Sequence, residues 1–91
     1  MENTVYIVFE EKNWKNCEYC DVVSVHTTKE KAVESLNECV KDFQNNHIEE
    51  INDILNNDYS YEEKTRHDFY SFLDECMGHY YEVSIKEMNL D

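Results

Sequence analysis

Residues 60–78 read SYEEKTRHDFYSFLDECMG, and the strand count of the whole chain turns on how they fold. Phe69, Phe72, Leu73 and Cys76 recur at helical spacing and form an apolar stripe. Ser60 with Glu63 fits a capping box, in which hydroxyl and carboxylate each satisfy an orphan backbone N–H. Gly78, the one glycine in the chain, stands where a left-handed residue ends many helices. The pattern predicts a helix over 60–78.

Upstream, residues 27–44 read TTKEKAVESLNECVKDFQ, a second amphipathic helix. Thr27 and Glu30 offer another capping box. At about 100° per residue, Ala32, Leu36, Cys39, Val40 and Phe43 share one face. Glu30, Glu34, Glu38 and Asp42 form a file on the other side, relieved in part by Lys31 and Lys41. Like charges at i,i+4 repel by roughly 0.2–0.5 kcal/mol per pair, so folding does not call for this file. The helical pattern continues through residues 45–57, NNHIEEINDILNN, with His47 on the apolar side as a hydrogen-bonded core residue. A single helix to residue 56 would run about 43 Å. A compact domain of this size measures about 26 Å, so a break is predicted near Asn45 and Asn46.

The flanking segments read as strands. In TVYIVFEE, residues 4–11, Val5, Ile7 and Phe9 share one face and Tyr6 and Val8 the other, which suits an interior strand. CDVVSVHT follows, with Val23 and Val25 expected to point inward. Between the two lies EEKNWKNCEYC, read as a loop too long for a tight hairpin. At the end, HYYEVSIKEMNLD sets Tyr81, Val83 and Ile85 on one face. The expected fold is α+β: a three-stranded antiparallel sheet with helices packed on one face, order β-β-α-α-β, in a single domain over 1–91.

Three stretches resemble a recurring type of small phage and mobile-element protein: VYIVFEE, VVSVHTTKEKAVESL and YYEVSIKEMNLD. In that type a β-hairpin leads through a Ser/Thr cap into an E-K-A helix, and a last strand alternates acids and apolars. The resemblance covers about residues 4–36 and 79–91 and carries over no catalytic residue. It implies a setting that includes inhibitors of host defence, among them anti-CRISPR proteins and DNA mimics.

Charge points the same way. Twenty-one acids against eight Lys and Arg leave a net charge of −13. That balance lacks the cations needed for direct binding to nucleic acid or an anionic membrane, and favours a basic partner. The apolar share of 41% argues for a folded chain, no apolar run is long enough for a membrane helix, and no basic leader precedes the first strand, so the host cytoplasm is expected. The four histidines form no i,i+4 pair, and no Gly-rich phosphate loop or nucleophile elbow is present, so neither enzyme nor cofactor is expected. Cys17 and Cys20 with His26 form the sole candidate zinc hook, and it lacks a fourth ligand. Cys39 and Cys76 read as small buried hydrophobes on helix stripes.

The expected partner surface is therefore acidic and aromatic. It comprises Glu30, Glu34, Glu38, Asp42, Glu49, Glu50 and Asp53, with acids of the 60–78 helix extending it. Trp14, Tyr19, Tyr59 and Tyr61 would serve as interface anchors, and Tyr70 and Tyr80 also fall off the expected core. The function this implies is a non-enzymatic binding protein that occupies a basic, nucleic-acid-binding surface of a host defence protein such as a CRISPR nuclease. The alternative is a homo-oligomeric structural or regulatory module, suggested by the spare apolar residues Ile48 and Leu55, with a zinc-stabilised Cys-x-x-Cys loop.

Overall fold

The structure, a computed structural model, describes residues 3–15 and 17–90. Its elements are β1 (Thr4–Trp14), β2 (Cys17–His26), α1 (Lys29–Asn46), α2 (Ile48–Asn56), β3 (Tyr61–Arg66), β4 (Phe69–Asp74) and β5 (His79–Asn89). The strands form one five-stranded antiparallel sheet in the order β2-β1-β5-β4-β3. Both helices lie on one face. The expected three-stranded sheet and the order β-β-α-α-β are thus overturned: the chain runs β-β-α-α-β-β-β.

The error lies in residues 60–78, which form a hairpin rather than a helix. Arg66 pairs with Phe69 across a two-residue link, and Tyr61 pairs with Asp74 at the far end. Phe72 and Leu73 point to opposite faces of β4, because strand side chains alternate. A strand apolar on both faces places hydrophobes at i, i+3 and i+4, which a helical wheel reads as a single stripe. Tyr70 tells the two apart. It falls off the helical stripe, yet it is 2% exposed beneath the helices and donates a 2.6 Å hydrogen bond to Glu63. Cys76, the fourth stripe member, is exposed in the turn. Asp74 orders that turn by accepting from the Cys76 and Met77 amides, and Gly78 takes φ +72 there, closing a hairpin instead of a helix.

The segment between the first two strands is also strand. β1 continues to Trp14 and β2 begins opposite it at Cys17. On β2, Ser24 and His26 turn toward the helices, and Ser24 Oγ lies 2.8 Å from both Ser35 Oγ and His26 Nε2. Val25 therefore faces away, opposite Ile7 and 56% exposed. Val23, at the register shift beside Val8 and Phe9, is 42% exposed. Neither valine points inward as expected.

The core sits between helices and sheet. Ala32, Leu36 and Phe43 of α1 and Ile54 of α2 pack on Val8, Trp14, Tyr70, Phe72, Tyr81 and Val83. Phe43 stacks on Tyr81 with centroids 4.1 Å apart. The cap of α1 is one residue later than expected: Thr28, not Thr27, accepts from the Lys31 amide. No capping box forms, and Glu30 acts through the first-turn dipole instead.

The helices break at His47, where φ is −120. A compact diameter does not force the break, since the molecule extends 53 × 22 × 18 Å. The imidazole wedges against Trp14 at 4.8 Å and Phe43 at 5.2 Å, and its two nitrogens are buried without a hydrogen bond. His47 is partly buried against the core, on the side its position on the wheel implied, and without a hydrogen bond; the nearest carboxylate, Glu50, lies 3.6 Å from Nδ1. Burial lowers its pKa, the Lys12 charge adds to this, and Glu50 opposes it. A base with a depressed folded pKa is neutral in both states above about pH 6.5; below that the unfolded chain takes up the proton first and stability falls. We expect His47→Phe to flatten the loss of urea stability between about pH 6.5 and pH 5, by at most about 1.4 kcal/mol per pH unit. Equal slopes in the two proteins would show that His47 titrates normally.

Candidate functional site: an acidic seam between the first helix and the edge strand

Successive i,i+4 positions on a helix advance by about 40°, so a file of four winds around the axis. Glu30 opens the file in the first turn of α1, and Asp42 closes it beside the sheet. Glu34 and Glu38 line a cavity of about 230 Å³ with His26, Lys31 and Ser35. Asp42 lines the next, of about 210 Å³, with Glu10, Lys12, Tyr19, Phe43, Asn46 and Tyr81. The file thus borders a seam between α1 and the edge strand β2. All four file residues are exposed, and among the described residues none reaches a cation within 4.0 Å.

Glu10 is the residue that sequence reading missed. It sits on the helix-facing side of β1 and accepts from Tyr19 at 2.7 Å and Tyr81 at 2.5 Å. Burial and the Glu10 hydrogen bonds raise both phenols well above the ordinary tyrosine range, so both remain donors. Burial and the carboxylates of Glu10, Asp42 and Glu38 push the Cys39 thiol up to about 11, which keeps it protonated at the base of the seam. The alternation that places Glu10 beside Val8 was legible; its approach to α1 was not. Chemically, the seam is a row of solvated carboxylates backed by neutral hydroxyls.

The other expected acids are divided. Glu49 is exposed on α2. Glu50 is bound by Lys15 at 2.8 Å, and that hydrogen bond holds its carboxyl below the usual range. Asp53 accepts from the Asn57 amide group. Acids of 60–78 do not extend the helical surface: Glu62 pairs with Lys64 at 3.1 Å, Glu63 receives Tyr70, and Asp74 is buried in a turn.

The aromatic anchors are divided as well. Trp14 is 1% exposed and is core, which corrects its placement on the partner surface. Tyr19 is partly exposed at the seam. Tyr59 lies at another cavity, bordered by Lys15 and Glu50, and Tyr61 stacks on Phe72 at 5.5 Å, so neither joins the seam. Cys17 and Cys20 alternate to opposite faces of β2, and His26 is at its far end, about 20 Å beyond Cys20 at roughly 3.3 Å per residue. One extended strand does not gather these three around an ion. Among the described residues, no three His, Cys, Asp or Glu side chains gather into a metal-binding group, and no helix is long and apolar enough to cross a membrane. Comparison with family models, curated proteins and solved structures returns no match.

Proposed function

We propose that this protein is a non-catalytic binding protein of the cytoplasm whose acidic seam occupies a basic, nucleic-acid-binding surface on a partner, such as a host defence nuclease. The observation that carries the reading is the exposed, unpaired file Glu30, Glu34, Glu38 and Asp42 on a chain of net charge −13. Adjacent file members are about 6 Å apart, sparser than the roughly 3.4 Å charge spacing of one DNA strand. Glu10 narrows that gap at the Asp42 end, and Tyr19 offers amphipathic contact area beside it. A basic surface would meet these charges before contact, which favours fast and salt-sensitive association.

The test uses purified guide-loaded CRISPR nucleases and labelled target DNA, with this protein added in excess at low salt. At least one nuclease should lose DNA binding, and raising ionic strength should weaken its complex with this protein, because exposed charges are screened beyond about 8–10 Å. If every nuclease in the panel binds DNA unimpeded, the nuclease reading fails.

A further inference from the structure

A cavity of about 350 Å³ lies between α2 and the turn from β4 to β5, and it shares no lining residue with the two cavities of the seam. That volume falls in the range of small-molecule pockets. Two ordered chain reversals build it. After α2, Asp58 takes φ 59 and the Tyr59 amide donates back to the Ile54 carbonyl at 3.1 Å. After β4, Gly78 takes φ +72 and its amide donates to the Asp74 carbonyl at 2.7 Å. The Glu75 amide donates to the Ser60 carbonyl at 3.1 Å, which ties the two reversals together. Backbone hydrogen bonds therefore set the walls.

The charges around this cavity do not balance. Lys15 is taken up by Glu50 at 2.8 Å. The Asp53 carboxylate accepts from the neutral amide group of Asn57 at 3.3 Å and, among the described residues, meets no cation within 4.0 Å. Asp74 matters most. Its side chain is only 7% exposed, and Oδ1 accepts from the Cys76 and Met77 amides at 3.1 and 3.2 Å. Oδ2 has no such donor: the neighbouring His79 Nδ1 is 3.9 Å away, beyond hydrogen-bond distance. Nor is Oδ2 sealed in, since the fully enclosed, unbonded side-chain atoms among the described residues belong to Trp14 and His47. It opens into the cavity that Asp74 lines. A nearly buried carboxylate oxygen without a donor is costly, and a cation placed against it removes that cost.

We infer that this cavity binds a small organic cation, an ammonium group on a short apolar chain, with Asp74 as its counter-charge. The nitrogen donates to Asp74 Oδ2, and Asp53 adds attraction. The chain lies on Ile54 and Met77, and Tyr59, 48% exposed, offers its ring to the charge. A bare metal ion does not fit, because no three metal-binding side chains gather among the described residues. The net charge of −13 concentrates cations around the molecule and repels an anionic ligand. A free alkylamine and a lysine side chain of a partner share the required chemistry.

The test is a titration of isotope-labelled protein with n-butylammonium chloride at fixed ionic strength, followed by amide NMR shifts. The Asp53, Tyr59, Cys76 and Met77 amides should move together and saturate, with a Kd on the order of 1–10 mM for so small a ligand. n-Butanol and butyrate lose the positive charge and plain ammonium loses the chain, so each should bind at least about 10-fold more weakly. Asp74→Asn keeps an oxygen for the turn amides and should weaken butylammonium by the same factor. Should that variant unfold, Tyr59→Ser, at an exposed position, should still weaken binding by about 3-fold. N-acetyl-lysine methylamide separates the sources: tighter binding than butylammonium assigns the site to a partner's lysine, weaker binding to a free amine. Equal shifts with n-butanol overturn the inference, as do shifts that spread over the Glu34 and Glu38 amides as a counterion atmosphere would. So does the lack of a saturable shift up to about 50 mM, or undiminished binding in a folded Asp74→Asn.

Discussion

Replacing Trp14 with alanine should cost about 3–5 kcal/mol, the range for emptying a buried aromatic site. Trp14 is 1% exposed, and its ring lies within 6.1 Å of the rings of Phe43, His47, Phe72 and His79. It therefore joins the end of β1 to α1, the helix junction, β4 and β5. Against a total stability of roughly 5–15 kcal/mol, such a loss leaves little margin. The urea midpoint should fall by about 2 M or more, with an unchanged slope. Trp14→Phe should lose much less, because it keeps ring contacts and removes an indole N–H buried without a partner. A surface aromatic held for a partner would change stability by less than about 0.5 kcal/mol. An unmoved midpoint in Trp14→Ala would return this residue to the partner surface.

The second large effect concerns binding. Reversing Glu34, Glu38 and Asp42 to lysine should weaken the complex with a basic partner by at least about 100-fold, which is about 2.7 kcal/mol. Most of the early loss should appear in the association rate, because steering acts before contact. Folding should survive, since these side chains are exposed and free of internal ion pairs, and their mutual repulsion is small. A control variant reverses Glu18, Glu62 and Glu75, which are exposed outside α1. Equal weakening in both variants would mean that net charge acts alone, without the file. Full affinity in the α1 variant would place the partner site elsewhere.

Both effects separate what was legible in the chain from what was not. The last strand in the chain, β5, was legible because period-2 alternation survives wherever one face is packed: Tyr81 and Val83 are core as their spacing predicts. The core face of α1 was legible for the same kind of reason, with Ala32, Leu36 and Phe43 buried and the acids outside. Segment 60–74 was not. A strand apolar on both sides imitates a helical stripe, and a serine and a glutamate three apart imitate a cap.

By itself, then, the sequence determined a folded α+β chain with a strongly acidic surface, an amphipathic first helix and a break after it. These depend on local periodicity and composition, which neighbours far along the chain do not alter. Tertiary structure alone decided that residues 61–74 add two strands beside β5, that Trp14 is core, and that Glu10 joins the file across the seam. Each of those rests on a partner distant in sequence. Long-range pairing sets which face of a strand is buried and which charges meet, and no local pattern records it.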